Sequence, residues 1–213
     1  MKVMFSLDEL VKERRSIRKY QVETPPEAWI EQMLLTASQA PSSGNSQPVR
    51  FIRVNSPGVK AALREAMEAG RQCFLQAAAA SDKPKKLRNW INAYYRFSEF
   101  MFHAPLLMAV GTVNILSGFS GKLSEAGFII PGKRVETDVD IAVGLALEGF
   151  MLKGHELGLG SCILAAPLVF ISGAEEIIGV KDAKIKCFVT AGFPDEKPPA
   201  LKKMGIHDIY REI

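Results

Sequence analysis

The 213-residue chain is poor in the residues that announce metal, disulfide or nucleotide chemistry. It has three cysteines, Cys73, Cys162 and Cys187, scattered and without a C-x-x-C pair, so a disulfide framework is excluded and a reducing cytoplasm is expected. The three histidines, His103, His155 and His207, stand apart from the cysteines and from one another, which removes zinc patterns and serine or cysteine triads. No run of about 18 apolar residues offers a membrane span. The opening MKVMFSLDELVKERR carries Asp8 and no apolar stretch of signal length, so a cytoplasmic location is expected. Charge of one sign is scarce too. A net charge of +4 is far from the dense basic stripe of a nucleic-acid binder. A Walker A lysine is missing, and GLGSCILAAP, residues 158–167, lacks the third glycine of a dinucleotide fingerprint and follows a helical pattern.

Apolar residues make up 47% and charged residues 23%, enough to bury a substantial core. Ser6-Leu-Asp-Glu9 predicts a capping box for a short helix running toward Arg15. Thr24-Pro-Pro-Glu27 predicts a second, opening a helix that buries Trp29, Ile30, Met33, Leu34 and Ala37. VRFIRV reads as a strand, and Ser56 as the cap of a helix through 57–80. SDKPKKLR is expected to break the helix before NWINAYYRFSEFMF resumes it. The APLLMAVGTV run, 104–113, is a buried strand, and 115–134 reads as a glycine-rich loop. Residues 136–158 form an apolar helix with Asp138 and Asp140 in its first turns, His155 as a cation at its end and Gly158 as its stop. Being apolar nearly all round, it needs cover on more than one side, and a partner subunit is a reasonable source. GLGSCIL and AKIKCFVTAG predict strands, PLVFISGAEEIIG a helix, and FPDEKPPALKK an extended tail. Cys162 and Cys187 read as inert core thiols. Helices interleave with buried strands, so the class is α/β or α+β.

Three constellations carry chemistry. RRSIRKY gathers Arg14, Arg15 and Arg18 around Ser16; these are either a solvated basic helix end or donors for an anion such as phosphate. APSSGNSQP, 40–48, holds Pro41, Ser42, Ser43, Asn45 and Gln47, more polar ends than a turn needs. They serve either a self-bonded turn or a neutral polar ligand, and supply no strong base. The small residues from Leu164 to Ala166 let a flat ligand approach the backbone. Lys202 and Lys203 lie in the tail, where solvated lysines are the usual case. KPKKLR fits a helix boundary better than a nucleic-acid site.

In this order, RRSIRKY, APSSGNSQP, FHAPLLMAV, the apolar helix ending in ELGLGSCIL, and AGFPDEKPPALKK, the chain resembles the nitroreductase family of FMN enzymes over roughly residues 6–205. The segments 57–100 and 114–135 match nothing in that pattern. The resemblance implies one domain over 1–213: an α+β three-layer sandwich with a mainly antiparallel central sheet flanked by helices, working as an intertwined homodimer. It implies that Arg14, Arg15 and Ser16 grip the FMN phosphate and ribityl oxygens, and that Arg18 lies beside the flavin pyrimidine edge. Pro41, Ser42, Ser43, Asn45 and Gln47 would reach the flavin from the other subunit. Ile163, Leu164, Ala165 and Ala166 would lie against a ring face, a backbone N–H near Ala165 meeting flavin N5. Lys202, and Lys203 beside it, would meet the phosphate, although LKK replaces the family's K-x-R, and some relatives carry an acidic residue where this chain has Ala165.

The implied activity is ping-pong reduction of nitroaromatic, quinone-like or other conjugated acceptors by NAD(P)H, with no catalytic side chain, because the flavin carries the chemistry. Alternatives are a specialised flavin relative (a dehalogenase, a flavin-consuming or an ene-type reductase) and a non-catalytic flavin- or anion-binding dimer.

Overall fold

A seven-residue opening helix with a polar cap leads into one sheet edge. In the computed structural model, which describes residues 6–113, 119–129 and 133–213, α1 spans Leu7–Glu13. The Ser6 hydroxyl accepts from Glu9 N while the Glu9 carboxylate accepts from Ser6 N, the reciprocal cap read in the sequence. α2 (Glu27–Ser38) starts differently from expectation. Thr24 does not cap it; Pro26 is the N-cap, and its carbonyl receives Trp29 N and Ile30 N. Proline fixes φ at the helix entry, and no side chain caps the first turn.

Four strands form one antiparallel sheet in the order β1 (Val49–Arg53), β2 (Leu106–Val113), β4 (Ala183–Gly192), β3 (Gly160–Leu164). The central strand β2 buries both faces. Leu106, Met108 and Val110 join Ile30, Met33 and Phe150 on one side, while Leu107 and Ala109 meet Leu63, Met67 and Phe170 on the other. A register shift between Val110 and Gly111 places Cys187 opposite Val110 and Ile185 opposite Gly111, skipping Lys186. That extra residue turns the alternation over, so Ile185 packs on the face opposite Cys187. Two layers of helices cover the sheet: α2 and α6 (Lys133–Glu156) on one face, α3 (Pro57–Ala79), α4 (Pro84–Glu99) and the short α7 (Pro167–Phe170) and α8 (Ala174–Ile178) on the other. The architecture is the α+β sandwich expected. Among the described residues, no helix is long and apolar enough to cross a membrane.

Boundaries moved where proline, glycine or tertiary packing decided. The break expected at SDKPKKLR is there, between Ala79 and Pro84, but it is short: α4 begins at Pro84 with Lys83 as its N-cap, so most of KPKKLR lies in its first turns. The stretch 115–134, read as a loop, contains α5 (Phe119–Glu125) and the first residues of α6; its residues 115–118 and 130–132 lie outside the described residues. α6 starts at Lys133, so its first-turn acid is Glu136; Asp140 lies deeper in the helix and pairs with Lys186 on β4 at 2.8 Å. PLVFISGAEEIIG is two helices, parted at Gly173 in a left-handed conformation (φ 69°). The tail is extended as expected, then closes with α9 (Ile206–Ile209).

Candidate active site

The RRSIRKY segment leaves α1 and runs as an irregular fifth strand along the β3 edge. Ile17 N donates to Ser161 O, and Ser16 pairs with Ser161 in parallel. Further along, Gln21 N donates to Phe193 O and Asp195 N to Lys19 O, so the chain leaving β4 is stitched to the same segment. Tyr20 fastens the join from beneath. Its hydroxyl contacts Thr190 Oγ1 at 2.8 Å and Ile17 O, and burial, the largest cause, pushes its phenol well up. Glu196 closes the other side by accepting from both Arg18 N and Lys19 N.

This stitching explains the glycines of GLGSC. Gly158 has φ 86° and returns its N–H to His155 O, ending α6. At Gly160 a Cβ would lie 2.4 Å from Ile17 Cγ1. The segment carrying the three arginines can approach β3 only because no side chain stands there.

Two hollows flank the segment. The larger is a cleft of about 1060 Å³ lined by Arg14, Arg15, His155, Ser161, Glu196 and Lys197, among others. Arg15 is committed to backbone, its Nη1 donating to Lys12 O at 2.6 Å and to Arg14 O at 2.8 Å. Arg14 is different. Its Nε is buried without a hydrogen-bond partner, in a residue lining a cleft where Arg15 and Lys197 stand beside Glu13, Glu156 and Glu196. His155 shares this space, and burial first, then Arg14 and Arg15, lowers its pKa against an opposing pull from Glu13. It is therefore a neutral imidazole at ordinary pH, which corrects its reading as a helix-end cation.

The smaller hollow, about 310 Å³, brings Arg18 together with Ile163, Leu164, Ala165 and Ala166, under Tyr94 and Phe97 of α4. Ile163 and Ala165 are exposed there while Cys162 and Leu164 turn into the core. Cys162 and Cys187 are buried with thiol pKa values raised by desolvation, that of Cys187 to about 11, as inert thiols should be.

The polar loop is elsewhere. Ser42 Oγ accepts from Gln47 N at 2.9 Å, Gln47 Nε2 donates to Asn45 Oδ1 at 3.2 Å, and Ser43–Asn45 makes a 3₁₀ turn. Part of the turn is thus self-bonded, yet it is strained: Asn45 and Gln47 hold φ of 52° and 46°. Such conformations in residues with a Cβ cost roughly 1–3 kcal/mol each. Ser43, Asn45 and Gln47 are exposed, whereas Pro41, Ser42 and Gln47 line a pocket of about 170 Å³ with Ala142 and Ala146 of α6. The loop feeds β1, and β1 and β3 are opposite edges of the sheet, three strand spacings or about 14 Å apart. One chain therefore does not bring residues 41–47 to Arg14–Arg18. Lys202 and Lys203 are exposed in the tail and line neither hollow. Lys197, Glu196 and His155 occupy that ground instead; sequence reading missed Glu196 and Lys197 because a tail without periodicity gives no register against a segment nearly 180 residues earlier, and gave His155 only a helix-end role.

The family model described as the Nitroreductase family matches residues 11–193, from the end of α1 to the close of β4. The chain belongs to the nitroreductase family. Within it, the chain is 26% identical over 208 residues to YfhC of Bacillus subtilis (strain 168), which carries an NAD(P)H nitroreductase assignment, covering 97% of this chain and 94% of that one. It is also 26% identical over 200 residues to the iodotyrosine deiodinase of Thermotoga neapolitana, covering 92% of each. A solved BluB-like flavoprotein from Clostridium difficile 630 superposes with a TM-score of 0.81 at 20% identity, over 99% of this chain and 100% of that one. Among the described residues, no cluster of His, Cys, Asp or Glu is arranged to hold a metal ion.

Proposed function

We propose that this nitroreductase-family protein is a single-domain, homodimeric FMN-dependent oxidoreductase that takes electrons from NAD(P)H and passes them to a small conjugated acceptor. The observation that carries the reading is the buried, unpartnered Nε of Arg14 beside Arg15 and Lys197 in one hollow, with Arg18 and Ile163–Ala166 lining a second hollow on the other side of the same segment. A phosphate fits the first and a flat ring the second. A phosphate oxygen would supply the missing acceptor for Arg14, and Ser16 lies between the two ends. FMN, when bound, supplies the redox chemistry, accepting a hydride from the nicotinamide and delivering electrons to the acceptor.

The chain's own residues then position and polarise. Arg18 sets a fixed positive charge at the ring end of the hollow. The small side chains of Ala165 and Ala166 let a ring lie close to the backbone. No side chain in either hollow has to move a proton. Residues 41–47 complete the site from a second copy, because their own chain holds them at the far sheet edge. The likeness to iodotyrosine deiodinase supports a second reading, reductive dehalogenation at the same site.

The test begins with colour. Purified protein should be yellow and release FMN, and FMN at 100 times its dissociation constant should stabilise it by about 2.7 kcal/mol. Anaerobic NADH or NADPH should bleach the bound flavin, and a nitroaromatic or quinone should restore it. A colourless protein indifferent to FMN refutes the proposal; iodide release from iodotyrosine outpacing nitro reduction favours the second reading.

A further inference from the structure

One face of α4 remains outside every role assigned so far. Leu87, Trp90, Ile91 and Tyr94 recur at helical spacing and, with Phe74 of α3 and Val169 of α7, enclose a chamber of about 350 Å³. None of its lining residues is charged. Trp90 is 53% exposed, Tyr94 59% and Val169 65%, so large apolar surface is left facing water. Lys86 Nζ sits 4.7 Å from the centre of the Trp90 ring and holds the indole at the chamber's rim. Tyr94 and Ala166 line both this chamber and the hollow of Arg18 and Ile163–Ala166, so the two spaces are neighbours.

We propose that this chamber seats the hydrophobic body of an uncharged aromatic acceptor of two or more fused rings, while its reducible end reaches the exposed side of the flavin ring seated on the Ile163–Ala166 shelf. The proposal rests on the oxidoreductase reading for the identity of the shelf. Its size is at the small end of the range for ligand pockets and suits a bicyclic ring. A charged or zwitterionic ligand would lose its hydration there and find no partner. A second copy of this chain is a poorer occupant: α4 lies on the sheet face opposite α6, whereas the loop 41–47 that must meet the partner packs beside α6.

The experiment compares the flavin-loaded wild type with Val169→Asp, a surface substitution that puts a carboxylate into the chamber. Binding of redox-inert 2-naphthol is read by calorimetry, and turnover with menadione and with the single-ring 1,4-benzoquinone by NAD(P)H consumption. The expected result is one 2-naphthol per chain, bound at least tenfold more weakly by V169D. Menadione kcat/KM should fall at least tenfold through KM, with benzoquinone kcat/KM within twofold and flavin content unchanged. Unaltered 2-naphthol binding, or equal losses for both quinones, overturns the proposal. So does dissociation of a dimer by V169D, which would make the chamber a subunit contact. If wild type turns over neither quinone but binds 2-naphthol at a site that V169D abolishes, the chamber stands and the oxidoreductase reading falls.

Discussion

Arg14 and Arg15 are adjacent in sequence and unlike in structure. Arg15 spends its guanidinium on the carbonyls of Lys12 and Arg14 and so stabilises the end of α1. Arg14 keeps a buried donor free for a ligand. Arg14→Ala should therefore weaken FMN binding by about 10- to 100-fold, the 1.5–3 kcal/mol of a hydrogen bond to a charged group, with little change in the Tm of flavin-free protein. Arg14→Lys should fall between, since it keeps charge but loses the planar fork. Fluorescence titration of FMN measures both; equal affinity in all three proteins would refute the assignment. This difference between neighbours is invisible in RRSIRKY, where all three arginines look alike, because it depends on which guanidinium α1's last carbonyls capture.

His155 makes a pH prediction at the same scale. Its folded pKa lies below its ordinary value of 6.5 because burial and two guanidiniums disfavour the imidazolium. Above pH 7 the ring is neutral folded or unfolded and contributes nothing. As pH falls through 6.5 the unfolded chain binds the proton first, so stability declines with acidity in that window. His155→Gln should flatten the decline between pH 7 and pH 5 in urea melts, while an unchanged slope would show that other groups carry it.

At the scale of elements, strands were legible and helix junctions less so. β4 was readable residue for residue and β2 nearly so: β2 is buried almost throughout and reads as an apolar run, while β4 alternates Lys184 and Lys186 with Ile185 and Cys187 before its buried end. Ser6 and Ser56 caps were readable because a cap is a local hydrogen bond. What escaped was whatever depended on distant contact: the Lys186 bulge, the start of α6 at Lys133, and above all the docking of Ser16–Tyr20 on β3. That docking yields its own prediction. Gly160→Ala should cost about 1–3 kcal/mol, the usual price of overpacking, because Ile17 must retreat from the new methyl. The arginines move with Ile17, so FMN affinity should fall although residue 160 meets no phosphate. Gly158→Ala, where a Cβ has open space but φ is 86°, should destabilise the fold while sparing FMN affinity per folded molecule. Chemical denaturation with parallel FMN titration separates the two effects.

Across the whole molecule, the two halves of the proposed cradle lie at opposite sheet edges. The arginine segment and the Ile163–Ala166 shelf lie at β3, and the strained loop 41–47 lies at β1. Beside that loop, α6 leaves Ile141 57% and Leu145 43% exposed, while Ala142 and Ala146, one residue on, pack under the loop itself. An apolar helix face and a strained polar loop on one surface suit the proposed dimer: on docking, the helix would lose water while the loop's exposed Ser43, Asn45 and Gln47 would gain partners on the other copy. The fold alone gives no reason for Leu145 to be apolar; the proposed second subunit would. Leu145→Asp should accordingly convert a dimer to a monomer in analytical ultracentrifugation and drop flavin occupancy with it, although residue 145 lies on the opposite sheet face from the shelf. Because Leu145 is already partly in water, the isolated fold should keep its far-ultraviolet circular dichroism. A monomeric L145D that still binds FMN as tightly as wild type would place the whole cofactor site within one chain and leave the strain at Asn45 and Gln47 without a purpose.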